Sequence, residues 1–452
     1  MRCIVCSLAI SGWLLSSMGC GTSAIAIDSV GEPDAPTPIK VADAEAYKPT
    51  PLPDRVILSW TGDPSRTQAV TWRTDTTVKQ GLAEIAVAGD NGVFSRSARQ
   101  LTAKTTPLQS NLSNAHYHTV EFNALTPKTK YAYRVGDGLN WTEWYHFETA
   151  SDQAEPFTFI YFGDAQTEVK SLWSRVIREA FTDAPKARFL LHAGDLINRA
   201  NSDAEWGEWH WAGGWMNAMI PNVTTPGNHE YERVGPEKIP HLSNHWKPQF
   251  ALPENGPPNL IETAYFVDFQ GTRIISLNSN EKIAEQNQWL ESVLASRDSS
   301  IRWTIVTMHH PIYSSAKNRD NLEIRNNWQP LFDKYKIDLV LQGHDHTYAR
   351  SGLVNSTTGV TAQGDQGTVY VVSVSGPKLY DIGKPIRPEF QRVAEDTQLF
   401  QIITVDGNEL RYQARTATGQ PYDGFTLVKK SGEVNQLIEQ VPSTPARLRA
   451  PK

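Results

Sequence analysis

The chain has 452 residues, 39% of them hydrophobic and 20% charged, with a formal net charge of −6. This is a globular balance with enough apolar side chains for a real core, and the length suits two domains or a large domain with a small one. The mild acidity gives no basic stripe, so no nucleic-acid partner is expected.

Residues 1–26 carry one early positive charge, Arg2, then an apolar stretch and small residues, the pattern of a secretory signal peptide. Two cleavage readings stand side by side: "AIA" at Ala24–Ala26, and a lipoprotein-like "SMGC" that would place a lipid anchor on Cys20. The apolar run is too short and interrupted for a transmembrane segment. Cys3, Cys6 and Cys20 are the only cysteines. The chain beyond them therefore has neither a disulfide nor a thiolate, and any metal must be held by His, Asp, Asn, Glu or Tyr. The expected location is outside the cytoplasm, periplasmic or extracellular, free or lipid-anchored.

Residues 27–52, rich in Pro, Ala and acid, predict a linker or an arm lying over the surface. From 53 to 150, short β-branched and aromatic runs such as "RVILSW", "QAVTWRT" and "KYAYRV" alternate with turn residues. They predict an all-β sandwich of about seven strands. The stretch "LTPKTKYAYRVG", with Trp60 and Trp72, resembles a fibronectin type III-like domain. A structural lid or spacer is the expected role.

From 151 to 427 the runs "FTFIYFG", "ARFLLHAG", "NVTTPG", "TRIISLN", "WTIVTMHH", "IDLVLQG" and "GTVYVVSVSG" are almost wholly apolar, as in strands buried on both faces. Helical patterns lie between them, around Leu172–Phe181 and Trp289–Leu294. The alternation predicts an α/β layered domain whose ligands gather at the carboxyl ends of the strands. Residues 428–452 read as a peripheral or disordered tail.

Five of these runs end in a glycine-linked or histidine-bearing polar group. They are "FGDAQ" with Asp164, "HAGDLIN" with Asp195, "TPGNHEY" with Asn228 and His229, "VTMHHP" with His309 and His310, and "QGHDHTY" with His344 and His346. Glycine lets the chain turn so that the next side chain crosses the top of the sheet. Two Asp, one Asn and three of these five His, without sulfur, suit a pair of iron, zinc or manganese ions better than calcium or magnesium. An aspartate shared between two ions ~3.5–4 Å apart fits such a set.

The order Gly-Asp, Gly-Asp, Gly-Asn-His-Glu, Val-x-x-His and Gly-His-x-His resembles the calcineurin-like metallophosphoesterases. With the β-domain in front, the chain is most similar to the purple acid phosphatases over residues 53–427. The resemblance implies a four-layer α/β sandwich of βαβαβ units, with two sheets flanked by helices. It also implies two metal ions, iron plus zinc, manganese or iron, and hydrolysis of small-molecule phosphate esters. Asp164 and His346 would bind the first ion, Asn228, His309 and His344 the second, and Asp195 would bridge. His229 matches the family's histidine that hydrogen-bonds the phosphoryl group, and would also protonate the leaving group. A metal-bound water, its pKa brought from 15.7 to about 7, would give the hydroxide that attacks the phosphate monoester.

Three departures from the family pattern stand out. Asn198 occupies the place of the tyrosine whose ferric complex gives the purple colour, so no such band is expected and a ferric first site is in doubt. Gln166 stands where the first motif has glycine. The region "SSAKNRDN" lacks the plant-type histidines, leaving Arg319 or Asn318 to hold phosphate, an arginine being a bidentate donor. His310 is expected to line the pocket, His192 and His210 to be structural or exposed. Trp206, Trp209, Trp211 and Trp215 read as core or lid packing, with base or sugar stacking as the alternative. The competing functions are a phosphodiesterase acting on nucleotides or lipid headgroups, and a non-catalytic surface-binding protein.

Overall fold

The structure, a computed structural model, describes residues 39–357, 359–360, 367–430 and 435–450. The segment 1–26 and its Cys20 lie outside the described residues. Short helix α1 (Asp43–Ala46) belongs to the arm, and Tyr47 just after it packs onto Gly207.

Eight strands follow: β1 (Asp54–Ser59), β2 (Gln68–Thr74), β3 (Leu82–Val87), β4 (Arg99–Thr102), β5 (Lys104–Gln109), β6 (Asn114–Phe122), β7 (Lys130–Gly136) and β8 (Tyr145–Glu148). They form two antiparallel sheets, β1-β2-β6-β5 and β4-β3-β7-β8, over a core of Val70, Trp72, Ile85, Phe122, Tyr133 and Phe147. The sequence pattern reaches only six of them. Strands β4 and β5 are polar, mostly exposed edges, so they carry no apolar alternation.

Strand β2 is buried along its whole length, because its outer face meets the following domain. Thr71 Oγ1 donates to the Gln249 carbonyl at 2.6 Å, and Arg55 and Arg73 reach Asp203 at 2.7 and 3.3 Å. Burial alone would raise the Asp203 carboxyl, but His245 and the two arginines hold it well below the usual carboxylate range. A β-domain held by buried charge pairs is a fixed structural part, since breaking such a pair costs about 3–5 kcal/mol.

Among the described residues the second domain has two large sheets. The first comprises β9 (Phe157–Phe162), β10 (Leu190–His192) and β11 (Asn222–Thr224), which are parallel. A hairpin, β12 (Tyr231–Val234) with β13 (Ile239–Leu242), stands apart. The second sheet is built from β14 (Tyr265–Phe269), β15 (Thr272–Leu277), β16 (Trp303–Met308), β17 (Leu339–Gln342), β18 (Tyr348–Asn355), β19 (Gly359–Val360), β20 (Thr368–Val372) and β21 (Phe390–Ala394). Its order is β14-β15-β16-β17-β20-β18-β19, with β21 on β18, and β15, β16, β17 and β20 run parallel. Strands β22 (Leu399–Asp406), β23 (Glu409–Thr416), β24 (Pro421–Val428) and β25 (Gln436–Glu439) return to the first sheet, whose order is β11-β10-β9-β22-β23-β24-β25.

Apolar residues of both sheets, among them Phe159, Leu191, Ile305, Leu341 and Ile403, share one core. Helices α2 (Ser174–Asp183) and α3 (Asp203–Gly213) belong to the first sheet's side, where Trp173, Val176, Ile177 and Trp209 join that core. After short α4 (Trp246–Gln249), helices α5 (Gln286–Ala295) and α6 (Leu322–Tyr335) cover the second sheet through Leu290, Leu294, Trp328 and Phe332. This is the expected layered α/β sandwich.

The expected boundary at 427 does not match the chain's course. Strand β25 pairs antiparallel with β24, and Arg447 bridges to Ala394, so residues 435–449 are part of the second domain. Buried Arg350, the last residue of "GHDHTYAR", binds Asp423 at 2.8 Å and Glu439 at 2.8 Å. The polar tail is recruited by charge, which a search for apolar runs passes over.

Candidate metal centre

The polar strand ends converge. Asp164 follows β9, Asp195 follows β10, and Asn228 and His229 follow β11. His309 and His310 follow β16, and His344 and His346 follow β17. At this edge the two sheets are joined by a parallel bridge between Asp164 and Val374, and by the Tyr161 hydroxyl, which donates to the Gln342 carbonyl.

Glycine provides space here more than turning freedom. A Cβ on Gly163 would fall 1.9 Å from the Ser373 carbonyl, one on Gly227 2.2 Å from Asp195 Oδ1, and one on Gly343 2.2 Å from Asp164 Oδ1. Only Gly194 of the four has a positive φ, +87°. The left-handed backbone falls instead on Asp195 (φ 52°), His344 (φ 74°) and His346 (φ 50°). Non-glycine residues held there cost roughly 1–3 kcal/mol each and concentrate at functional sites.

Two groups of donor atoms result: Asp195, His309 and His344, and Asp164, Asp195 and His346, each with its atoms within 4.8 Å of one another. Asp195 belongs to both. Asn228 Oδ1 joins the first, 3.1 Å from His309 Nε2 and 2.9 Å from His344 Nδ1. Backbone carbonyls fix two rings. His309 Nδ1 donates to Ala193 O at 2.9 Å and His346 Nδ1 to Lys378 O at 3.0 Å, leaving each Nε2 facing the cluster. Asp164 Oδ2 is buried without a hydrogen-bond donor, 3.3 Å from His346 Nε2.

The electrostatics match this picture. Burial pushes the Asp164 carboxyl up to about 7, against the pull of His309. Burial alone would also raise Asp195, but His309 holds it well below the carboxylate range. His309 is lowered by burial yet raised to about 9 by Asp195 and Asp164. Burial takes His346 down to about 3, and burial with His310 and His309 takes His344 well below the imidazole range. His344 and His346 are thus held neutral, as ligands must be, and the proton on His309 is the one an ion would displace. An unsatisfied carboxylate oxygen, neutral imidazoles and an all N/O donor set fit two transition-metal ions.

Around the donors, Glu230 accepts the backbone N–H groups of Asp195, Leu196 and Gly227 at 2.8, 2.8 and 2.6 Å, tying two ligand loops together. Asp345 points away from the cluster. Its Oδ2 accepts from Ser314 Oγ, Ser315 N and Ala316 N, which clamps the loop bearing Arg319. Arg319 Nη1 donates to the His344 carbonyl at 2.6 Å, and its guanidinium lies over Tyr380. Asn318 is exposed and makes no side-chain hydrogen bond among the described residues. His229 donates from Nδ1 to the Asn198 carbonyl at 2.5 Å, and its backbone N–H binds Asp195 Oδ1. His310 packs on His344, ring centroids 4.2 Å apart, with Nδ1 2.9 Å from Ser279 Oγ.

The sequence pattern passed over Glu230, Lys378 and Tyr380. Lys378 and Tyr380 follow β20 in "SGPKLY", another buried strand ending in glycine, and that was the available signal. His192 and His210 are buried on Asn222 and Gln249, away from the donors. Trp206 and Trp209 are core, whereas Trp211 and Trp215 are half exposed, Trp211 lying between Lys170 and Arg178.

Residues 157–348 match the calcineurin-like phosphoesterase family, and residues 53–149 match the purple acid phosphatase N-terminal domain. A Mycobacterium tuberculosis protein is 29% identical over 64% of this chain and 60% of its own length. A soybean (Glycine max) purple acid phosphatase is 30% identical over 54% of this chain and 55% of its own. The chain thus spans less than two thirds of the length of either relative. The structure of a purple acid phosphatase from yellow lupin seeds superposes with a TM-score of 0.70 over 83% of this chain and 74% of that one, at 19% identity, a likeness of fold. The chain therefore carries a calcineurin-like phosphoesterase domain at residues 157–348, behind a purple acid phosphatase N-terminal domain at residues 53–149. Its two domains, in this order, are those of a purple acid phosphatase.

Proposed function

We propose that the chain is a metal-dependent phosphoesterase acting on small phosphate monoesters, with its centre on the seam between the two sheets. The observation that carries this reading is the pair of donor groups sharing Asp195. Asp164 and His346 would hold one ion and Asn228, His309 and His344 the other, with Asp195 belonging to both donor groups. Two ions drawn from iron, zinc and manganese would supply Lewis acidity there and make a water acidic enough to serve as nucleophile.

The chain's own groups do the rest. His229 is anchored at Nδ1 by the Asn198 carbonyl and at its backbone by Asp195, so its Nε2 end is the free one. In the imidazolium form it stabilises the charge gathering on the phosphoryl oxygens and passes a proton to the departing oxygen. Arg319 commits Nη1 to the His344 carbonyl, and its remaining N–H donors serve a phosphate oxygen at the rim. His310 lines the same pocket. The exported placement of the protein rests on the sequence of residues 1–26.

The test is hydrolysis of p-nitrophenyl phosphate by the purified chain, before and after chelation, with iron, zinc or manganese restored singly and in pairs. Activity lost to the chelator and regained with metal supports the reading. A folded, metal-loaded protein that cleaves only bis-p-nitrophenyl phosphate moves it to diesters, and one that cleaves neither ester overturns it.

A further inference from the structure

We propose that Gln166 and Lys378 act together as positioning residues that make the first metal position, that of Asp164, Asp195 and His346, select a divalent over a trivalent ion. This rests on the reading that those three residues hold a metal.

Gln166 is fully buried, and its Nε2 donates to Asp195 Oδ2 at 2.5 Å. Its Oε1 faces Lys378 Nζ at 3.3 Å. An ammonium has donors only, so it holds the amide with its oxygen outward and its N–H toward the aspartate. Gln166 is therefore a donor to the shared carboxylate and not a ligand. A hydrogen bond on Asp195 Oδ2, the oxygen 3.2 Å from His309 Nε2, draws negative charge away from both positions.

Lys378 reaches the same position a second way, because its carbonyl accepts from His346 Nδ1 at 3.0 Å. One short segment thus orients a donor ring and carries a positive charge beside it. Lys378 has no carboxylate partner among the described residues, and its ammonium lies 5.7 Å from the Tyr380 ring. An unneutralised cation opposes each added unit of charge on a nearby ion, so it penalises a trivalent ion more than a divalent one. The donors of this position are one unshared carboxylate, one shared and hydrogen-bonded carboxylate, and a neutral imidazole. Asn198, third after Asp195, brings no anion.

The full chain, stripped of metal, is offered ferric citrate, zinc and manganese together in air and then desalted. Elemental analysis counts the ions, and electron paramagnetic resonance reads the ferric content. The wild type is expected to carry two divalent ions and little ferric iron. Lys378→Met shifts the ferric-to-divalent ratio about tenfold toward ferric iron, a repulsion of order 1 kcal/mol removed. Gln166→Leu shifts it the same way, and Lys378→Arg restores the wild-type ratio, which a merely structural loss would not do. Circular dichroism confirms folding, and Lys378→Gln replaces any variant that fails it. Stoichiometric ferric uptake by the wild type, or an unchanged ratio in folded Lys378→Met, overturns the proposal. A folded chain that retains no ion of either kind overturns the metal centre itself.

Discussion

Asp195 Oδ2 lies 3.2 Å from His309 Nε2, although one residue ends a strand of the first sheet and the other a strand of the second. Both are buried, and each depends on the other for its charge. This contact sets what happens when metal is added or withheld.

His344→Ala and Asn228→Ala each remove a donor from the second position only. Each is expected to halve the bound metal and abolish hydrolysis, as measured by elemental analysis beside an activity assay. Two ions retained, or activity retained, would count against the ligand assignment. Chelation of the wild type is expected to lower Tm, because an ion at 100 times its Kd stabilises the folded state by about 2.7 kcal/mol. Scanning calorimetry with and without metal checks this.

Gly343→Ala tests the claim that strand-end glycines provide room. The added Cβ would sit 2.2 Å from Asp164 Oδ1 and 3.3 Å from His309 Nδ1. Overpacking of this kind costs about 1–3 kcal/mol, and here it displaces two donors at once. The variant is expected to lose metal and most activity with a modestly lower Tm. Gly92→Ala, with nothing within 4 Å of the new methyl, is the control and is expected to behave as wild type.

The polar C-terminal segment is expected to matter for stability. Arg350 is buried between Asp423 and Glu439, and Tyr348 donates its hydroxyl to Asp423 Oδ2 at 2.6 Å. Asp423→Ala leaves that guanidinium uncompensated and is expected to cost about 3–5 kcal/mol in urea unfolding. Truncation after Lys430 removes β25 and Glu439, which is itself 45% exposed at its side chain, and is expected to cost less. Equal effects would show that Asp423 is not the main counter-charge.

Acid sensitivity follows from three buried histidines that are not members of the donor groups. Burial lowers His118 to about 4, with His116 adding, and lowers His192 to about 4 and His210 to about 3. A lowered folded pKa means that the unfolded chain takes up protons first. Stability is therefore complete above the ordinary imidazole pKa of about 6.5 and falls as pH drops toward 4, by about 1.4 kcal/mol per pH unit per histidine. His118, held between Thr74 and Thr105 hydroxyls, is the one to replace. His118→Gln is expected to flatten the pH dependence of Tm by about one proton's worth between about pH 6 and pH 4.

Much of the site could be read from the chain because β9, β10, β16, β17 and β20 are buried on both faces and appear as unbroken apolar runs. Their ends announce themselves by a change from apolar to polar at a glycine or histidine. Strand β23 alternates buried and exposed along "ELRYQART", so it offers no such run and no motif. The contacts of Gln166 with Lys378, and of Arg350 with Asp423, join residues 212 and 73 positions apart and exist only once the sheets have formed. Asn198 illustrates a different limit. The sequence shows that a tyrosine is missing, yet what this residue contributes to His229 is a backbone carbonyl that any side chain would have left in place.

The division of the donor residues between the two sheets has a consequence for biogenesis. Asp164, Asp195 and Asn228 come from one half of the domain, His309, His344 and His346 from the other, so neither half alone carries the full set of donors proposed for either ion. A nascent or partly collapsed chain thus offers only low-affinity fragments of the centre. On the proposed ligand assignment, metal capture would report that the two halves have docked in register, and would thereafter act as a clasp that resists their separation.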